Sequence, residues 1–151
     1  MFIRLTALIL FFFPATSEWT GKVTAVIDGD TIGVLHDGQE ERIRLSGIDC
    51  PEKAQAYGAR AKQFTSDKIY GKFVKIVTHD TDRYGRTIAD VYLQDGTWLN
   101  KALIEAGFAW HYKHYSKDEI LSDAEKKAKE ARFGLWQDNN PTPPWQFRKN
   151  R

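Results

Sequence analysis

The chain has 151 residues, 42% of them hydrophobic, 13% aromatic and 28% charged, with a formal net charge of +2. That length and apolar content suit one well-buried domain rather than two, and the charge balance is too mild to require a polyanionic partner, though it tolerates one. The lone cysteine, Cys50, excludes an intramolecular disulfide, so stability has to come from packing.

The N-terminus reads as a secretory signal peptide. Arg4 supplies a positive charge, residues 5–13 are apolar apart from Thr6, and Ala15-Thr16-Ser17 presents small residues ahead of a cleavage point before Glu18. The expected organisation is a signal peptide over 1–17, a globular domain over 18–136 and a proline-rich basic tail over 137–151, the mature protein being secreted or periplasmic. The other reading of the first stretch is an uncleaved anchor. It falls short of the ~20 apolar residues that a spanning helix needs, nothing later approaches that length, and no membrane association is expected after cleavage.

From Glu18 the pattern alternates with a period of two. Residues 22–27, 31–35 and 41–45 predict three consecutive strands, separated by the turn signals Asp28-Gly29-Asp30 and Asp37-Gly38. Pro51-Glu52 predicts the opening of a helix over 51–69, with proline and an acid in the first turn and Gly71 at its end; Gly58 is a discordant residue within it. Residues 72–78 and 87–93 predict two more strands, joined by the polar segment 79–86.

Residues 97–106 carry Leu99, Ala102, Leu103 and Ala106 at helical spacing, closed by Gly107. Ser116 with Glu119 reads as a capping box for a surface helix that runs to about residue 132 with a thin apolar stripe. Three strands, a helix, two strands and then helices predict an α+β fold: a five-stranded OB-fold β-barrel with about three α-helices. Such barrels serve many ligands, so function has to be read from the site.

Asp28 and Asp30 read first as turn formers. Asp49 changes that reading, because it follows the third strand closely enough to reach the same end of the barrel as Asp30. Two carboxylates converging without a Cys or His cluster favour an oxygen-loving ion, Ca²⁺ or Mg²⁺, over zinc. Glu52, three residues on, is placed to accept a proton from a metal-held water; its plainer role is a favourable charge at a helix N-terminus. Arg44 and Arg86 are ordinary on solvent-facing strand positions, yet both lie on segments leading toward the acids, where guanidiniums suit a phosphoryl transition state.

The Cys50 thiol offers a nucleophile, a metal ligand or a small buried side chain beside Pro51, and with no adjoining base the last reading is preferred. His111 and His114 lack a third ligand and read as surface polar residues. The five tryptophans read as packing residues.

IDGDT, RLSGIDCPE, DRYGR and the closing helix with GLW resemble the staphylococcal nuclease (thermonuclease) family, over about 21–136 and in the family's order. The resemblance implies an OB-fold, Ca²⁺-dependent, sugar-non-specific nuclease that cleaves DNA and RNA to 3′-phosphate ends. It implies Asp30 and Asp49 as Ca²⁺ ligands with the backbone carbonyl of Cys50 as a third. Glu52 becomes the general base, and Arg44 and Arg86 the groups that hold the phosphate.

One departure concerns the aromatics that contact the nucleotide. In AWHYKHYS, Tyr115 matches one of the family's two tyrosines, whereas Lys113 falls where the other stands, with Tyr112 beside it. Base stacking by this segment and a phosphate contact from Lys113 are expected. The expected partners are DNA and RNA, single strands preferred, and the expected state is a monomer. Two readings from other classes remain: a catalytically silent OB module that binds nucleic acid, and an exported OB protein that binds a glycan or another protein.

Overall fold

The computed structural model describes residues 16–151. The expected signal peptide therefore lies almost wholly outside the described residues. Among those described, no helix is long and apolar enough to cross a membrane.

Five strands close into a barrel in the order β1-β2-β3-β6-β5. They are β1 (Glu18–Asp28), β2 (Thr31–His36), β3 (Gln39–Leu45), β5 (Phe73–Thr81) and β6 (Thr87–Tyr92); a two-residue strand β4 (Ile48–Asp49) lies between β3 and β5 in sequence. All barrel pairs are antiparallel except β3 with β6. Closure leaves no long unpaired edge, and the architecture is the five-stranded α+β barrel that the sequence pattern predicts.

The first strand is longer than the alternation alone indicates. Glu18 to Lys22 pair with β5, while Val23 to Asp28 pair with β2 through two register shifts. Such bulges bend and twist a strand, which lets β1 serve two neighbours. Inside the barrel Val23, Ile32, Val34, Ile43, Leu45, Val74, Ile76 and Val91 are buried and form one core with Leu99, Leu103 and Ile104 of α2 (Leu99–Glu105). Each such side chain removed from water contributes roughly 1.5–3 kcal/mol before the entropy of ordering it is counted.

Three expectations are corrected. The helix predicted over 51–69 begins only at Gly58: α1 spans Gly58–Ile69. Residues 51–57 instead form turns, with the Gln55 amide donating to the Glu52 carbonyl at 2.8 Å and the Gly58 amide to the Gln55 carbonyl at 3.0 Å. The discordant glycine explains the change. A Cβ at position 58 would sit 1.9 Å from the Glu52 carbonyl oxygen, so this loop folds back onto α1 only because residue 58 has no side chain.

The second correction concerns α3 (Glu119–Ala131), whose N-cap is Asp118 rather than Ser116. Asp118 accepts from the Ile120 and Leu121 amides, while the Ser116 hydroxyl pairs with His111 Nε2 at 2.9 Å. The third follows from it: His111 is buried, not superficial, because it lies in β7 (Trp110–His111), which pairs antiparallel with β4. His114 is exposed, as expected.

After α3, a 3₁₀ turn over Gly134–Gln137 buries Leu135 and Trp136. The proline-rich segment then leads into a last helix, α4 (Pro144–Lys149), with proline at its start as helix geometry favours.

Candidate active site

Asp30 is delivered by the tight turn between β1 and β2, and Asp49 by β4; both side chains are nearly inaccessible, at 5% and 1% residue exposure. The turn is pressed onto α1, where Thr65 Oγ1 donates to the Gly29 carbonyl at 2.6 Å. A Cβ on Gly29 would lie 2.9 Å from both Ala61 Cβ and Cys50 Sγ. Glycine is thus required for the close approach that fixes Asp28 and Asp30.

Arg44, at the end of β3, draws the two acids together. Its Nη2 lies 3.3 Å from Asp30 Oδ2 and 3.3 Å from Asp49 Oδ1. Its Nη1 donates to the Leu45 carbonyl at 2.7 Å and the Ile48 carbonyl at 3.0 Å, which fastens the chain between β3 and β4. Asn100 supports the same loop from α2: its Nδ2 donates to the Ser46 carbonyl at 2.9 Å, and its Oδ1 accepts from the Val91 amide at 3.1 Å. Asn100 is fully buried beside Leu99, Leu103 and Ile104, and a polar residue next to the apolar positions of α2 was the available signal for it.

The electrostatics follow from burial. Desolvation, then the charge of Asp30, raises the Asp28 carboxyl to about 7. Burial works against the charge on Asp30 as well, yet Arg44, hydrogen bonding with Asp28 and the Cys50 amide at 2.7 Å together bring its carboxyl below the ordinary value. Asp49 moves the other way: burial raises it, and its hydrogen bonds to Arg148 only partly offset this. Cys50 is a buried part of the core, and burial pushes its thiol well up; the structure gives it the packing role preferred from sequence.

Glu52 lies in the turns before α1, where its amide donates to Gln55 Oε1 at 3.1 Å. It is joined to Asp49 by a residue that sequence reasoning placed in the tail. Arg148 of α4 donates from Nη2 to Asp49 Oδ2 at 2.7 Å, and from Nη1 to Asp49 Oδ1 at 3.2 Å and Glu52 Oε1 at 2.8 Å. No local pattern announces this contact, since Arg148 is 99 positions from Asp49.

Arg86 is not drawn into this cluster. Its Nε donates to Asp82 Oδ2 at 2.6 Å, and its guanidinium lies 5.4 Å from the Tyr84 ring centre. It stands just before Thr87, whose partner across the parallel β3–β6 pair is Ile43, the neighbour of Arg44. The loop therefore keeps Arg86 beside the strand that bears Arg44 while pairing it elsewhere.

The segment expected to contact nucleotides is brought to the site by the β4–β7 pair, in which Asp49 faces Trp110. Tyr112 stacks on Trp145 of α4, with ring centres 5.3 Å apart and planes within 5°, and meets Tyr115 edge-on at 4.8 Å. Tyr115 is exposed. Lys113 Nζ lies 3.4 Å from Oε1 of Glu125, a buried acid on α3 that also accepts from the His111 amide at 2.7 Å. Sequence reasoning missed Glu125 because it reads as one more charge on a polar helix.

Comparison with known proteins gives the family. The model of the family described as staphylococcal nuclease homologue matches residues 42–138. This chain belongs to the staphylococcal nuclease family. Relatives of this nuclease-family chain include a micrococcal nuclease from Shigella flexneri, 40% identical with 90% of this chain and 84% of the relative aligned. An uncharacterized endonuclease from Haemophilus influenzae is 40% identical over 97% of this chain and 85% of its own length. One from Escherichia coli O157:H7 is 38% identical over 95% and 96%. The family domain spans Arg44, Asp49, Glu52 and Arg86, whereas Arg148 and all of α4 lie beyond its end.

Proposed function

We propose that this protein is an exported Ca²⁺-dependent nuclease that hydrolyses phosphodiester bonds in DNA and RNA, single strands preferred, acting as a monomer. The observation that carries the reading is the convergence of buried Asp30 and Asp49 on one nitrogen of Arg44, with Glu52 bridged to the same Asp49. Among the described residues no group of three or more His, Cys, Asp or Glu side chains forms a metal cage. Asp30 and Asp49, with the Cys50 carbonyl, instead offer a small all-oxygen donor set, which fits a hard cation whose remaining ligands come from water and substrate. Bound there, Ca²⁺ would supply positive charge to offset that of the phosphate and would favour ionisation of water.

The chain's own residues supply the rest. Glu52 takes a proton from the attacking water as the new phosphorus–oxygen bond forms. Arg44, and Arg86 once it exchanges Asp82 for phosphate, hold the negative charge that builds on the phosphoryl oxygens. The bond to the 5′-oxygen breaks and that oxygen takes a proton from solvent water, leaving a 3′-phosphate and a 5′-hydroxyl. Tyr112 and Tyr115 contact bases, and Lys113 exchanges Glu125 for a phosphate.

The test is to incubate the purified protein with single-stranded DNA and RNA in Ca²⁺ and in EGTA, beside Glu52→Ala and Arg86→Ala. The expected result is Ca²⁺-dependent cleavage that falls by a factor of about 10²–10⁴ in either variant. Binding of the strands without cleavage under any divalent ion would make the protein a binding module instead.

A further inference from the structure

Arg148 differs from Arg44 in how it is held. The Arg44 side chain is 12% exposed and is tied to two backbone carbonyls as well as to Asp30 and Asp49, so it belongs to the framework of the β3–β4 connection. The Arg148 side chain is 38% exposed, projects from a six-residue helix and, among the described residues, makes its polar contacts with Asp49 and Glu52 alone. Both oxygens of Asp49 accept from it, and Oδ1 also accepts from Arg44, so three of the carboxylate's roughly four lone-pair sites are taken by guanidinium donors.

The helix that carries Arg148 is docked at two further points. Trp145, three residues earlier and so about one turn away, stacks on Tyr112 and meets Trp110 edge-on at 5.5 Å. Gln55 Nε2 donates to the Thr142 carbonyl at 2.5 Å, which joins the chain ahead of α4 to the loop that carries Glu52. Withdrawing Arg148 therefore disturbs the Tyr112–Trp145 stack and the Glu52 loop together.

We propose that Arg148 is a built-in competitor for the cation at Asp49: α4 closes over the site with its guanidinium on Asp49 and Glu52, and has to unseat for a divalent cation to bind. This rests on the reading of Asp30 and Asp49 as cation ligands. A guanidinium forked onto both oxygens of Asp49 would hold its positive charge at contact distance from a divalent cation on the same carboxylate, so each binds at the expense of the other. Cation binding then frees Glu52 of its Arg148 contact, so that it can act as a base, and exposes the stacked face of Tyr112.

The experiment titrates Ca²⁺ into the full chain by calorimetry and follows amide hydrogen exchange over 141–151 with and without Ca²⁺. It compares wild type, Arg148→Gln and Arg148→Lys, with thermal melts to verify folding. In wild type, Ca²⁺ is expected to speed exchange in α4, an outcome that needs no variant. Arg148→Gln is expected to bind Ca²⁺ about tenfold more tightly. Arg148→Lys falls between, because an ammonium cannot bridge both Asp49 oxygens and Glu52 as the planar fork does. Unchanged or weaker Ca²⁺ binding in Arg148→Gln, with wild-type α4 exchange unmoved by Ca²⁺, overturns the competitor while leaving the cation site standing. Absence of Ca²⁺ binding in all three proteins overturns it together with the cation reading.

Discussion

The acid cluster and the aromatic wall meet at Asp49 but are built on different terms. At the acid cluster, Asp30, Asp49 and Arg44 are largely buried at the barrel end, and each is held by several partners. At the wall, Tyr112, Tyr115, Trp145 and Arg148 are partly or largely exposed and rest on ring stacking and the two partly exposed ion pairs of Arg148. Charges meant to stabilise a transition state gain from fixed positions and excluded water. Surfaces that admit a polymer have to be able to part. The same molecule therefore combines a rigid centre with a cover whose contacts are individually weak.

The comparison is broken most strongly at Arg44. Arg44→Gln leaves two buried carboxylates facing each other, and stability without Ca²⁺ is expected to fall by about 3–5 kcal/mol. Added Ca²⁺ should restore part of the loss, whereas wild type should gain less. Thermal melts with and without Ca²⁺ decide the matter, and a variant as stable as wild type in EGTA would show that the acids are not held together by this residue.

Gly58→Ala tests the loop that places Glu52. A methyl group driven against the Glu52 carbonyl forces the 51–57 turns to shift, with an expected cost of about 1–3 kcal/mol and a larger fall in kcat than in substrate affinity. Urea denaturation and steady-state kinetics measure the two effects. On the wall, Trp145→Ala should change global stability by only about 0.5–1.5 kcal/mol while speeding hydrogen exchange throughout α4. A loss as large as that of Arg44→Gln would place α4 in the core rather than on a cover.

The smallest effect is one of pH. Burial lowers the His111 imidazole below its usual value of 6.5, with the charge of Glu125 opposing. A depressed histidine contributes stability that is fully present above 6.5 and is lost as pH falls through the folded value. Wild type should therefore lose melting temperature between neutral pH and mildly acidic pH, and His111→Gln should show a shallower slope over that window. Equal slopes would mean that the ring is free to protonate in the folded state.

Strands were legible because a pleated strand with one buried face has to alternate: Ile32 and Val34, or Ile43 and Leu45, declare their face locally. The wrong start of α1 came from reading Pro51-Glu52 by the same local logic. Those residues do suit a helix entrance, but Gly58 lets the chain pack on itself and the helix begins later. Ser116 failed as a cap for a related reason: it is engaged by His111, five residues back, and Asp118 takes the role.

The sequence by itself determined the barrel, its five strands and the supply of acids and arginines in family order, because periodicity, turn chemistry and motif spacing are properties of neighbouring residues. Only the tertiary structure decided which of those charges meet. It placed Asp30 and Asp49 on one nitrogen of Arg44 and paired Arg86 with Asp82. It also folded the segment after Trp136 back as α4, so that Arg148 closes over Asp49 and Glu52. Such contacts join residues up to 99 positions apart, and they form where burial makes an unpaired charge costly rather than where any local pattern calls for them.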